Sequence, residues 1–255
     1  MASPRRWLLL IAAVAVAVAI EAVWLAPAAL VDGRVAQLTG GALRLAAAEG
    51  TAWRGRGVLV AGGTRLPVAW RLDAGPLLRG ELRVRLRSPD GAADASPRAD
   101  IALSAERVQL RDVDVTVPAT LVAAAAGPAA GWAVAGSVGI ATADVEWTPA
   151  AIRGDARLHW RGARLMLPDG VAPLDLGDVR AVLTASGDRL AGPVSNEGGD
   201  VAVRGELALR ANDAVQLSLA LAPRHPLDAT LERVLSAIGS PGNDGWRVEW
   251  RIPLR

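Results

Sequence analysis

The 255-residue chain has no cysteine, lysine, phenylalanine or tyrosine, and only two histidines, His159 and His225. Without cysteine there is no disulfide framework, thiolate nucleophile or thiolate metal site. Without lysine there is no Walker A loop, Schiff base or kinase-type phosphate clamp. The two histidines lack neighbours at ligand spacing, so the sequence predicts no metal and no cofactor. Nine tryptophans are the whole aromatic complement, which leaves the packing to Leu, Val and Ala. Net charge is +2 although the sequence pI is about 10.6. Almost nothing titrates between the carboxylates and arginine, so the charge curve is flat and the high pI does not call for nucleic acid.

Catalytic patterns are equally scarce. Ala135-Gly136-Ser137-Val138-Gly139 is the nearest approach to a nucleophile elbow, but Ile140–Trp147 continues it as a strand, not a helix. A hydrolase using Ser137 or His159 is the weakest functional reading. Asp112 with Asp114, and Asp175 with Asp178, read as solvated carboxylates. No enzyme is expected.

What is present starts with an apolar run. Arg5 and Arg6 precede Trp7–Ile20, which continues as Ala22–Val31 with Glu21 as the single charge. The run is long enough to span a bilayer. Arginines on its leading side predict a cytoplasmic N-terminus. Small residues at Ala13–Ala19 and Ala26–Ala29 also fit a cleaved signal peptide; the length of the run, Glu21 and Trp24 favour a retained anchor. The expected organisation is a cytoplasmic segment 1–6, a signal-anchor helix 7–31 and a periplasmic β-rich domain 32–255.

Beyond residue 40 the pattern has period two. Leu82, Val84 and Leu86 alternate with Arg83, Arg85 and Arg87, and Val113, Val115 and Val117 alternate with polar residues. Further strands are expected at 43–45, 58–60, 66–72, 101–110, 132–147, 156–167, 200–209, 215–221 and 246–254. Glycine and proline turns separate most of them. About ten strands joined by short turns predict a mainly β fold, a curved and mostly antiparallel sheet. One short amphipathic helix is expected over 226–238, with Gly239 ending it; Ala119–Ala126 is a candidate single turn. Trp53-Arg54-Gly55 is echoed by Trp160-Arg161-Gly162, and Arg79-Gly80-Glu81-Leu82 by Arg204-Gly205-Glu206-Leu207. These echoes allow a duplication with halves at about 40–118 and 131–255. The row Arg83, Arg85, Arg87 is either a solvated sheet face or a contact for anionic lipid or an acidic partner.

The densest motif is Gly50-Thr51-Ala52-Trp53-Arg54-Gly55-Arg56-Gly57, a tight strand-to-strand turn in which Trp53 is expected to be largely buried. With the anchor, Gly40-Gly41-x-Leu-x-Leu, Trp70 followed by Leu77-Leu78-x-Gly80, and the ending Leu235-x-x-x-Gly239-x-Pro241-x-x-Asp244-Gly245, it resembles the type II secretion system protein N family. The resemblance implies a non-enzymatic accessory component of the bacterial inner membrane that aids export of folded proteins across the outer membrane. Its implied partners are other inner-membrane components of that system. A more distant resemblance to AsmA-like proteins implies a curved sheet with an apolar groove, and hence a lipid-binding or lipid-transfer module as the alternative. Neither family brings catalytic residues.

Overall fold

A computed structural model describes residues 26–61, 63–89, 98–126, 133–166, 173–211, 214–226, 229–242 and 245–253. Residues 7–25 of the expected anchor lie outside these. Among the described residues no helix is long and apolar enough to cross a membrane.

Fourteen strands form one open sheet. They are β1 (Arg44–Gly50), β2 (Arg54–Ala61), β3 (Thr64–Asp73), β4 (Leu82–Arg87), β5 (Arg98–Leu103), β6 (Val108–Pro118), β7 (Ala133–Trp147), β8 (Ile152–Met166), β9 (Leu174–Ser186), β10 (Arg189–Glu197), β11 (Val201–Arg210), β12 (Ala214–Pro223), β13 (Ser240–Gly242) and β14 (Gly245–Pro253). Spatial order follows chain order to β12, which is followed by β14 and then β13. Every pair is antiparallel, and most connections are too short for a crossover.

The period-two pattern sorts the side chains onto two faces. Val84 lies between Leu72 and Ile101 on the apolar face, while Arg85 lies between Arg71 and Asp100 on the polar one. The apolar face is buried most deeply in the second half, where Leu174, Leu183, Val201, Val248 and Leu235 are enclosed. A smaller cluster in the first half gathers Ala28, Leu45 and Trp70.

Among the described residues three helices serve this sheet: the amphipathic one expected near the C-terminus, the candidate turn at Ala119–Ala126 as a full helix, and one at Ala29–Leu38 that was not expected. The first, α1 (Ala29–Leu38), lies along β1, where Asp32 accepts the outward N–H of Leu45 at 2.8 Å and an ion pair from Arg44 at 2.8 Å. The second, α2 (Ala119–Ala126), follows β6 and reaches back to the start of β3 through a Thr120–Thr64 hydroxyl bond of 2.8 Å. The third, α3 (Ala229–Ile238), buries Val234, Leu235 and Ile238 against the larger core, and its stop is marked by the Gly239 N–H on the Leu235 carbonyl. Ala29–Val31, expected as the end of the anchor, form the first turn of α1.

The strand boundaries needed three corrections. Residues 101–110 are not one strand, because Ser104 and Arg107 close a turn between β5 and β6. Strands β9 and β10 were not anticipated. Glycines and aspartates interrupt their alternation, and at Gly192-Pro193 the pairing with β9 lapses between Ala191 and Val194 because proline offers no N–H. The three-residue β13 is too short to show a period.

Candidate functional site

The turn between β1 and β2 is built by its own residues. The Thr51 N–H donates to the Arg54 carbonyl at 2.9 Å, and the Arg54 N–H donates to the Thr51 hydroxyl at 3.2 Å. Gly50 has φ +93°, and a Cβ there would sit 2.5 Å from the Arg54 carbonyl. Gly55 serves another purpose. It faces Trp70 across the β2–β3 pair, and a Cβ on it would drive into the indole and stand 2.6 Å from the Glu49 carbonyl. A Cβ on Gly57 would come to 2.9 Å from a Leu45 methyl.

The buried indole of this motif is therefore Trp70, 6% exposed, and not Trp53. Trp70 Nε1 donates to the Ala52 carbonyl at 3.1 Å. Trp53 is half-buried, and its backbone carbonyl accepts the Leu72 N–H at 2.7 Å. The glycines flatten β2 so that the next strand's tryptophan can lie over it. Trp160 repeats the arrangement in β8: its Nε1 donates to the Ala135 carbonyl at 2.9 Å beside Gly136. Trp53 itself precedes β2, whereas its sequence echo Trp160 lies within a strand.

This turn is also where the chain arrives from residues 1–25. Pro27 bridges to Thr51, the Ala28 N–H donates to the Gly50 carbonyl at 3.2 Å, and the Ala52 N–H donates to the Ala26 carbonyl at 2.7 Å. Residues 26–28 are thus tied to the turn by hydrogen bonds.

The arginine row lies on the polar face, and each member has a carboxylate. Arg83 pairs with Glu81, Arg85 with Asp73 on β3, and Arg87 with Asp100 on β5 at 3.0 Å. The hydrogen bond that Arg83 donates lowers the Glu81 pKa, and the one that Arg85 donates to Asp73 raises the Arg85 pKa. The row is a set of ion pairs, two of them cross-strand and one local. It is not bare positive charge. The same ladder continues with Arg180–Glu197 at 3.0 Å and Arg153–Glu146 at 3.3 Å.

Several of the remaining candidates have local partners. The register sets Ser137 diagonally from His159, with no hydrogen bond between them. Arg161 Nε donates to His159 Nδ1 at 3.3 Å, so a neutral ring carries its proton on Nε2 and offers Ser137 no base. Asp175 pairs with Arg164 at 3.4 Å, and Asp178 accepts the Gly162 N–H at 2.9 Å. Asp114 lies 3.9 Å from Arg98, while Asp112, at φ +46°, marks an irregularity in β6. No group of three metal-ligating side chains occurs among the described residues.

Sequence reasoning passed over Asp32, which lay at the end of what read as an anchor. It also gave the burial of Trp70 to Trp53. The signal that separates the two tryptophans is the flanking pattern: Trp70 stands in an alternating strand, Trp53 in a turn.

No curated protein and no solved structure matches the chain. The family described as type II secretion system protein N matches residues 41–249, from the approach to β1 to the middle of β14. That span holds the glycine turn, the Trp70 seat, the arginine ladder and all but the end of the last strand, and the chain belongs to the type II secretion system protein N family.

Proposed function

We propose that this protein is a non-enzymatic accessory component of type II secretion. In this reading residues 7–25 of the expected anchor hold it in the bacterial inner membrane, residues 1–6 are cytoplasmic, and the body from residue 26 is periplasmic and aids export of folded proteins across the outer membrane. The family match over residues 41–249 carries the reading. The sheet supports it as a scaffold would, with a polar face laced by ion pairs and with Asp175, Asp178 and His159 engaged in structural bonds. Its partners are other inner-membrane components of the secretion machinery. The ladder around Arg83, Arg85 and Arg87 is a contact surface of mixed charge for one of them. Deleting the gene is expected to reduce or alter secretion of folded exoproteins, and a detergent pull-down is expected to recover other secretion components. A pull-down that recovers none, with secretion intact, would sink the proposal.

One observation favours a second reading, a lipid-binding module. On the apolar face of β4–β6, Leu82, Val84, Leu86, Ile101 and Leu103 are only half-buried, and Val108 is exposed. An apolar sheet face with partial cover suits an acyl chain. Native mass spectrometry of gently purified protein tests it. A lipid-free mass under conditions that preserve known lipid complexes would rule it out.

A further inference from the structure

The connection from β3 to β4 is a short 3-10 helix, Gly75–Arg79, and it carries a leucine in an unusual position. Leu78 is 94% exposed and Leu77 beside it 39%. The turn is stiff. Pro76 fixes φ near its start, Gly80 closes it at φ +72°, and N–H groups of Leu77, Gly80 and Glu81 donate to the carbonyls of Ala74, Leu77 and Pro76 at 2.9–3.1 Å. Leu78 is thus held out from the body by a pre-formed turn.

Its surroundings are positively charged. Arg54 and Arg71 stand directly opposite each other across the β2–β3 pair, an arrangement that disfavours the sheet unless a counter-charge is supplied. Arg79 flanks Leu78. None of these three arginines has an ion-pair partner among the described residues, since the nearby Asp73 and Glu81 are engaged by Arg85 and Arg83. Among the described residues the unpaired carboxylate closest in the chain is Glu106, two connections further along, on the β5–β6 turn. Leu30, in the first turn of α1, is 58% exposed.

All of these residues lie at one end of the sheet. Leu72 N–H bonds the Trp53 carbonyl, which puts the end of β3 beside the Thr51 turn. Pro27 is bridged to that same turn. The chain that arrives there carries the apolar run of residues 7–25.

We propose that this end of the sheet is a membrane-docking surface: Leu78, with Leu77, inserts into the interface of the bilayer, and Arg54, Arg71 and Arg79 meet anionic phospholipid headgroups. The proposal rests on the reading of residues 7–25 as a membrane anchor and extends it. A single span leaves the body free to swing. A second contact of apolar and cationic side chains, less than two strands from the exit point, fixes its orientation. The strands then stand away from the membrane and the ion-pair ladder faces the periplasm.

The absence of cysteine makes the test direct. Full-length protein with a single nitroxide label at Leu78→Cys, Val16→Cys or Ser195→Cys is reconstituted into vesicles of phosphatidylethanolamine and phosphatidylglycerol, and separately of phosphatidylcholine alone. In the anionic vesicles the label at 78 is expected to be several-fold less accessible to an aqueous nickel chelate than the label at 195, and more accessible to oxygen. Arg54→Gln, Arg71→Gln and Arg79→Gln together, or high salt, should return it toward water while the label at 16 stays in hydrocarbon. A label at 78 as wet as that at 195 in the anionic vesicles, with 16 in hydrocarbon, overturns the docking surface and leaves the anchor standing. A label at 16 that is itself in water overturns the anchor and the docking surface with it. Shielding at 78 that is equal in phosphatidylcholine and unmoved by the arginine changes overturns the role of the headgroup charge.

Discussion

At the residue scale, the glycine–tryptophan motif is a seat for an indole supplied by the neighbouring strand. Gly55 is small because Trp70 lies on it, and the Ala52 carbonyl receives the indole N–H. Trp70→Ala is expected to destabilise the first half of the sheet by about 3–5 kcal/mol, the usual cost of truncating a buried large aromatic. Gly55→Ala should cost about 1–3 kcal/mol, because the added methyl has nowhere to go between the indole and the Glu49 carbonyl. Trp53→Ala, at a half-buried position, should cost less than either. Thermal unfolding of the three variants followed by near-ultraviolet circular dichroism orders them. If Trp53→Ala proves the most damaging, the assignment of the buried indole is wrong.

The two tryptophans also show how far the sequence could be read. Glycine spacing revealed a tight turn with an aromatic packed on it. It did not say which aromatic, because Trp53 is adjacent in sequence whereas Trp70 becomes adjacent only through strand pairing. Arg83, Arg85 and Arg87 were legible as one face for the same reason that their partners were not. Period two is local, but the carboxylates of Asp73 and Asp100 arrive from neighbouring strands.

At the scale of the element, α1 protects a sheet edge. The edge N–H of Leu45 would otherwise be available to another strand, and Asp32 occupies it. Hydrogen bonds from the Arg44 guanidinium and the Leu45 N–H hold the Asp32 carboxyl at about 2, below its ordinary 3.8. A depressed carboxyl pKa stabilises the fold fully above its unfolded value and loses that contribution as pH falls through the folded one. Protection of the Leu45 amide from hydrogen exchange is therefore expected to fall between about pH 4 and about pH 2, and Asp32→Asn should remove most of it at neutral pH. Unchanged protection in that variant would mean that α1 holds the edge without its carboxylate.

The helix α3 was legible because its apolar stripe repeats at helical spacing and a glycine ends it. Leu235, at its centre, is fully buried, and Leu235→Ala should cost about 2–5 kcal/mol, measured by denaturant midpoint. The helix α1 was not legible. Its residues continue an apolar run without a contrasting face, and the contacts that define it come from β1.

At the scale of the whole molecule, the sheet has two unequal cores. Among the described residues, eighteen buried ones spanning β7–β14 and α3 form one, and Ala28, Leu45 and Trp70 form the other. Local stability follows buried apolar contact, so opening is expected to begin in β1–β4 and reach β8–β12 last. Hydrogen exchange resolved by peptide should show the later strands as the slowest. Uniform protection across the sheet would indicate that the two cores unfold as one. The less protected half is also the one that receives the N-terminal segment, so the part of the body nearest the proposed anchor is the part most able to adjust to it.

Strand order has a consequence for how such a sheet can be made. From β2 to β11 each strand pairs with the one before it and the one after it, and β12 waits past α3 and β13 for its second partner. A chain that emerges from its N-terminus into a new compartment can therefore fold as it arrives. Each hairpin closes on material already in place, and the loop that must be ordered at every step stays short. Synthesis or export can pause at almost any point without leaving an earlier strand unmatched, apart from the one at the growing edge.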